Sequence, residues 1–208
     1  MSAALSFIHR FEPATQAGLA PLLLLHGTGG DENDLLSLGR LLAPGAALLS
    51  PRGKVSEGGA PRFFRRLAEG VFDEDDVRRR ADELAGFVRE ARAAYELAAP
   101  IAVGFSNGAN IAAALLYRQP DALAGAVLLR AMVPLPEAPT QGLAGHPVLI
   151  LSGAMDPIVP EENANRLTAA LAEAGAAVTH RVLPTGHGLS QADVNLGRQW
   201  LAEQASQN

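Results

Sequence analysis

The chain has no cysteine, a single lysine (Lys54), one tryptophan and few other aromatic residues among its 208 positions. The first absence excludes most. Without a thiol there is no disulfide, no thiolate metal site and no cysteine nucleophile. No stretch approaches the roughly 20 consecutive apolar residues that a membrane-spanning helix needs. Met1 to Glu12 lacks the basic start and apolar run of a signal peptide. The net charge of −5 argues against nucleic acid or an anionic membrane as the main partner. A cytoplasmic protein without stable membrane insertion, acting on a small molecule, is the expectation these absences leave.

What is present fits one compact domain over residues 1–208: 48% hydrophobic and 19% charged residues. The basic clusters Arg62, Arg65, Arg66 and Arg78, Arg79, Arg80 flank the acidic run Asp73 to Asp76 and read as solvated, mutually paired faces. Short apolar runs alternate with helical periodicity. Leu22 to Leu25, Ala46 to Ser50, Ile101 to Phe105, Ala126 to Leu129, Val148 to Ser152 and Val178 to Leu183 read as strands buried on both faces. Leu5 to Glu12 is a candidate edge strand. Val77, Ala81, Leu84, Val88, Ala91 and Tyr95 recur at steps of three and four, one stripe of a long helix. Asn110 to Tyr117, Ala164 to Ala174 and the segment that Ser190 caps supply further helices. Strand–helix alternation of this kind predicts an α/β fold with a doubly wound, mostly parallel sheet, whose sites lie at the strand carboxyl ends.

Gly104-Phe105-Ser106-Asn107-Gly108 matches G-x-S-x-G between a buried strand and an apolar helix. That context is the nucleophile elbow of the α/β-hydrolase fold, which places the serine hydroxyl at a strained strand-to-helix turn. A hydroxyl needs a base and an orienting acid, which in this fold follow in the order acid, then histidine. Of five histidines, His9 and His26 precede the serine, His146 precedes a strand, and His180 lies inside one. His187 remains, between Gly186 and Gly188 in the loop before the last helix. Asp156, in the loop after Val148–Ser152, is the acid; Glu161 and Glu162 suit a helix N-terminus instead.

His26-Gly27-Thr28-Gly29-Gly30 closes the first buried strand and supplies the oxyanion loop, with backbone donors at Thr28 and Asn107. His26 is read as a brace for that loop. Arg62, Phe63 and Phe64 follow a glycine-rich loop and either line a substrate pocket or pack beneath the loop. Arg130, just past a strand, either binds a substrate carboxylate or forms a structural ion pair. Met132 is a further candidate at the substrate. Only Arg130 to Pro147, with four prolines, separates two strands where larger relatives of this fold insert a lid. A domain without a cap follows, and with it a preference for short-acyl or aryl esters.

These residues resemble the small carboxylesterase/phospholipase family, which includes bacterial carboxylesterases and acyl-protein thioesterases and is related to dienelactone hydrolases. The likeness runs through Leu25-His26-Gly27, Pro51-Arg52-Gly53, Gly104 to Gly108, Asp156-Pro157 and Gly186-His187. A bacterial carboxylesterase branch is similar further, over Pro61 to Arg66 and Met132-Val133-Pro134. The resemblance implies ester hydrolysis by Ser106, Asp156 and His187, no cofactor or metal, and a homodimer in many members. Two departures stand out. Thr28-Gly29-Gly30 replaces the Leu-Gly-Asp of the thioesterases, and Ser106 stands where a dienelactone hydrolase carries cysteine. A serine carboxylesterase is therefore the leading expectation, ahead of a thioesterase or lysophospholipase and of a non-catalytic receptor on the same fold.

Overall fold

A computed structural model of the chain describes residues 5–137, 139 and 142–206. In chain order the elements are β1 (His9–Glu12), β2 (Leu22–Leu25), α1 (Leu36–Leu42), β3 (Leu48–Pro51), β4 (Val55–Glu57), β5 (Ala60–Arg62), β6 (Arg66–Ala68) and β7 (Val71–Phe72). There follow α2 (Glu74–Tyr95), β8 (Ile101–Phe105), α3 (Asn107–Arg118), β9 (Gly125–Leu129), β10 (Pro147–Gly153), α4 (Glu161–Glu173), β11 (Ala177–Leu183) and α5 (Gln191–Ala205).

Seven strands form one sheet in the order β1-β3-β2-β8-β9-β10-β11, parallel except where β1 runs against β3. Successive residues of each central strand feed opposite faces. Leu23, Leu25, Ala126 and Leu128 enter one core with α2, α3 and α4, while Leu22, Leu24, Val127 and Leu129 enter the other with α1 and α5. Burial on both sides is why these strands read as unbroken apolar runs. The chain leaves β2 toward β3 and α1, and leaves β8 toward β9 and α3, so the strand order reverses between β2 and β8. The loops after these two strands therefore part over a crevice, the usual ligand site of such sheets.

Three expectations change. The strand over 177–183 is not buried on both faces but lies at the sheet edge, with Val182 exposed. The edge strand at the N-terminus is confined to β1. The glycine-rich loop is the turn of a hairpin, β4–β5, and a second hairpin, β6–β7, follows it. Gly58 and Gly59 both take positive φ (57° and 91°), which the tight two-residue turn joining β4 to β5 requires. The acidic run is the start of α2: Asp73 caps it by accepting from the Asp76 N–H at 3.1 Å. Its neighbours pair as expected, Arg65 with Asp73 and Arg78 with Asp75, but Arg62 is buried. Between β9 and β10 the described residues carry no helix or strand, and no described helix is long and apolar enough to cross a membrane.

Candidate active site

Ser106 sits between β8 and α3 with φ 53° and ψ −115°, a conformation that costs a non-glycine residue about 1–3 kcal/mol. Its neighbours hold it there. The Ser106 N–H donates to Leu129 O at 2.9 Å, and its carbonyl accepts from the Asn110 N–H at 2.9 Å. The flanking glycines are a packing requirement. A Cβ on Gly108 would stand 1.9 Å from Leu25 O, and one on Gly104 2.5 Å from Gly108 O. The hydroxyl is thus presented at the N-terminus of α3, where the helix dipole favours negative charge.

His187 and Asp156 arrive from the two loops that follow β11 and β10. His187 Nε2 lies 3.0 Å from Ser106 Oγ, and Nδ1 lies 2.8 Å from Asp156 Oδ2. The acid is fully shielded, and its other oxygen accepts the N–H groups of Ile158 (2.8 Å) and Val159 (3.1 Å). Those bonds fix the carboxylate plane, which in turn fixes the imidazole. His146 and His180 are elsewhere: the His146 backbone turns into β10, and the His180 ring meets Ser152 at 2.9 Å.

Arg130 is not available to a substrate carboxylate. It is fully buried at the end of β9, with φ 59°. Nη1 and Nη2 grip Asp193 at 2.7 and 2.9 Å, and Nη1 also donates to Leu151 O at 3.1 Å. Nε donates to Gly186 O, while Nη2 donates to Gly188 O and Thr185 Oγ1, all at 3.1 Å. All five N–H donors of the guanidinium are engaged inside the protein. Two of its acceptors are the carbonyls immediately flanking His187. Burial alone would raise the Asp193 carboxyl, but Arg130 and the Ser190 hydroxyl and N–H outweigh it and hold it below the usual range. The alternative of a structural ion pair is the one observed, and its partner is the acid that also completes the Ser190 capping box of α5.

On the other side of Ser106, His26 braces the loop after β2. Nδ1 donates to Gly27 O at 2.7 Å, and Nε2 accepts the Gly53 N–H at 3.0 Å. Burial holds this ring below the ordinary histidine range, in keeping with an unprotonated Nε2. Beyond it Arg52 pairs with Glu32 at 2.5 and 2.8 Å. The backbone N–H groups of Thr28 and Asn107 have no partner among the described residues. Asn107 Oδ1 accepts the Phe63 N–H at 2.7 Å.

Thr28, Arg62, Ser106, Asn107, Arg130 and Met132 line one cleft, so these six candidates converge, Arg130 as a part of its wall whose donors are already engaged. Phe63 and Phe64 do not reach it. Phe63 packs on the His26 ring at 4.7 Å and Phe64 edge-on to Phe72 at 5.0 Å, both inside the core. Large apolar rings gain more from that burial than from a wet cleft. Arg62 is 3% exposed, donating to Thr28 Oγ1 at 2.7 Å and pairing with Glu57 at 3.2 Å. Sequence reasoning missed Asn110, Arg66, Glu69, Phe72, Ile158 and Val159, which complete the cleft. The hairpin turn was a local signal for some of these; nothing local marked Asn110. Among the described residues no group of three or more acidic, histidine or cysteine side chains is placed to hold a metal.

A family model for phospholipase/carboxylesterase proteins matches residues 11–202. The chain is 46% identical over 197 residues to the protein named "Putative hydrolase MhqD" of Bacillus subtilis (strain 168), spanning 94% of this chain and 98% of that one. The crystal structure of the Bacillus cereus carboxylesterase superposes with a TM-score of 0.93 at 43% identity, covering 96% of this chain and 95% of that one. A carboxylesterase from Mesorhizobium loti superposes with a TM-score of 0.90 at 33% identity, over 96% of each chain.

Proposed function

The chain belongs to the phospholipase/carboxylesterase family and is an esterase-type hydrolase, and on that premise we propose that it is a serine carboxylesterase working through an acyl-enzyme. The observation that carries the reading is the continuous relay Asp156–His187–Ser106, at 2.8 and 3.0 Å, beside two backbone N–H groups that have no partner among the described residues. Ser106 Oγ attacks the ester carbonyl while His187 Nε2 takes its proton, and Asp156 stabilises the resulting imidazolium. The carbonyl oxygen, now negative, accepts from the N–H groups of Thr28 and Asn107. Collapse breaks the ester C–O bond, and the alcohol leaves with the proton from His187. Water, deprotonated by the same Nε2, then attacks the acyl carbon, and Ser106 Oγ departs reprotonated.

Substrate size follows from the cleft. The enclosed space beside Ser106 is small, about 30 Å³. A long acyl chain would lie outside it, forfeiting about 0.8 kcal/mol for each methylene left in water. Short esters are therefore the substrates, which disfavours a lysophospholipase or a long-chain thioesterase. A receptor has no use for a complete relay. The test is mass spectrometry after treatment with a fluorophosphonate, together with kcat/KM over nitrophenyl esters from acetate to palmitate. We expect the adduct on Ser106, its loss in Ser106→Ala, and a fall in kcat/KM with chain length. An adduct on another serine, or a steady climb toward palmitate, would overturn the reading.

A further inference from the structure

We infer that the cleft beside Ser106 is built for a short acyl group that itself carries an uncharged acceptor oxygen next to the ester carbonyl, such as an alkoxy-, hydroxy- or oxo-acyl group. This deepens the assignment of Ser106 as nucleophile and rests on it. Three side chains on the cleft carry it. Asn107 is 2% exposed, and with Oδ1 tied to the Phe63 N–H its Nδ2 is buried without a partner among the described residues. Asn110 is likewise buried. Its Oδ1 accepts the Met132 N–H at 2.8 Å, so its Nδ2 is also left with no acceptor among the described residues. Arg62 uses Nε and Nη1 on Phe64 O, Glu57 and Thr28 Oγ1, leaving Nη2 without one.

The orientation of each amide is not arbitrary, because a backbone N–H fixes which end is oxygen. What each keeps to offer, on a residue that lines the cleft, is a donor. Donors without an acceptor on residues this buried are uncommon in folded proteins, so such a cluster on a catalytic cleft is a binding feature. Oxygen, not hydrocarbon, completes it. Charge selects further. Arg62 and Arg66 on the cleft are balanced by Glu57 and Glu69, through contacts of 3.2, 2.9 and 2.5 Å, and Arg130 by Asp193. With its cations already neutralised, the cleft matches a neutral oxygen better than a carboxylate.

An isosteric pair of substrates tests this: 4-nitrophenyl methoxyacetate against 4-nitrophenyl butyrate, which differ by an oxygen in place of a methylene. Each kcat/KM is divided by the ester's hydroxide-catalysed rate constant to remove intrinsic reactivity. We expect the methoxyacetate to be favoured at least about tenfold, since a site with buried donors discriminates against a substrate lacking the acceptor. Asn107→Asp and Asn110→Asp keep an oxygen for the backbone N–H but present no donor, and either should cut the ratio at least threefold. Butyrate turned over as well as methoxyacetate by the wild type, or a ratio untouched in both variants, would overturn the inference. So would a tenfold preference for methyl hydrogen malonate over methyl methoxyacetate, which would require a charged oxygen. If the variants do not fold, the wild-type ratio still decides. Failure to turn over either ester, with no phosphonate on Ser106, would count instead against the nucleophile assignment.

Discussion

The two sides of Ser106 are built on opposite plans. On the base side, Asp156, His187 and the loop around it are saturated with hydrogen bonds, and Arg130 has no donor to spare. On the cleft side, backbone N–H groups at Thr28 and Asn107 and amide donors at Asn107 and Asn110 have no partner among the described residues. A group that moves protons must stay in one place throughout the reaction, so its surroundings are closed. A group that meets a ligand must await a partner, so its surroundings are unfinished.

Breaking the closed side should give the largest effects. Asp156→Asn leaves the shape intact but favours the wrong imidazole tautomer, and kcat should fall up to about 10⁴-fold with KM little changed. Steady-state kinetics check this; if Glu161→Gln proved the crippling change instead, the acid would be misplaced.

Arg130→Met strands the buried Asp193 charge and should cost about 3–5 kcal/mol in urea unfolding. Adding Asp193→Leu removes the stranded charge and should restore part of that loss. It should not restore all of it, because Gly186 and Gly188 still lose the guanidinium donors to their carbonyls. The folded double variant should show lowered kcat, with the loop around His187 loosened. Full recovery of both stability and kcat would reduce Arg130 to half of an ordinary ion pair.

The smallest effect sharpens the comparison from the cleft side. Burial lowers the His26 pKa in the folded protein below its ordinary 6.5, so the unfolded chain binds the proton more readily. The stability from neutral His26 is therefore present above about pH 6.5 and lost as pH falls through the folded value. Burial shifts His180 the same way. Urea midpoints from pH 7.5 to 5 should decline in the wild type and decline less in His26→Gln. Equal slopes would mean that the brace tolerates a charged ring.

Much of this was legible in the chain, and unevenly so. Ser106, His187 and Asp156 could be named because each sits at a glycine- or proline-marked loop whose order along the chain the fold dictates. The central strands were legible because Leu22–Leu25 and its neighbours bury both faces. The edge position of β11 was overlooked although the chain marks it: Thr179, His180 and Arg181 interrupt the apolar run of Val178 to Leu183, as a strand buried on both faces would not. Phe63 and Phe64 were ambiguous: an aromatic pair after a turn fits a pocket wall and a core alike.

Local geometry, then, was legible in the sequence: an elbow that only glycines permit, a histidine between flanking glycines, a doubly wound sheet implied by alternation. Tertiary structure alone decided what the charged and polar side chains meet. Arg130 and Asp193 are 63 residues apart, and nothing in either neighbourhood points to the other. Asn107 and Asn110, both lining the cleft, have only donors left to offer once the backbone N–H groups of Phe63 and Met132 claim their oxygens. Periodicity and turn chemistry act over a few residues and can be read along the chain. The partner of a buried polar atom is set by which distant segments the sheet brings within 3 Å.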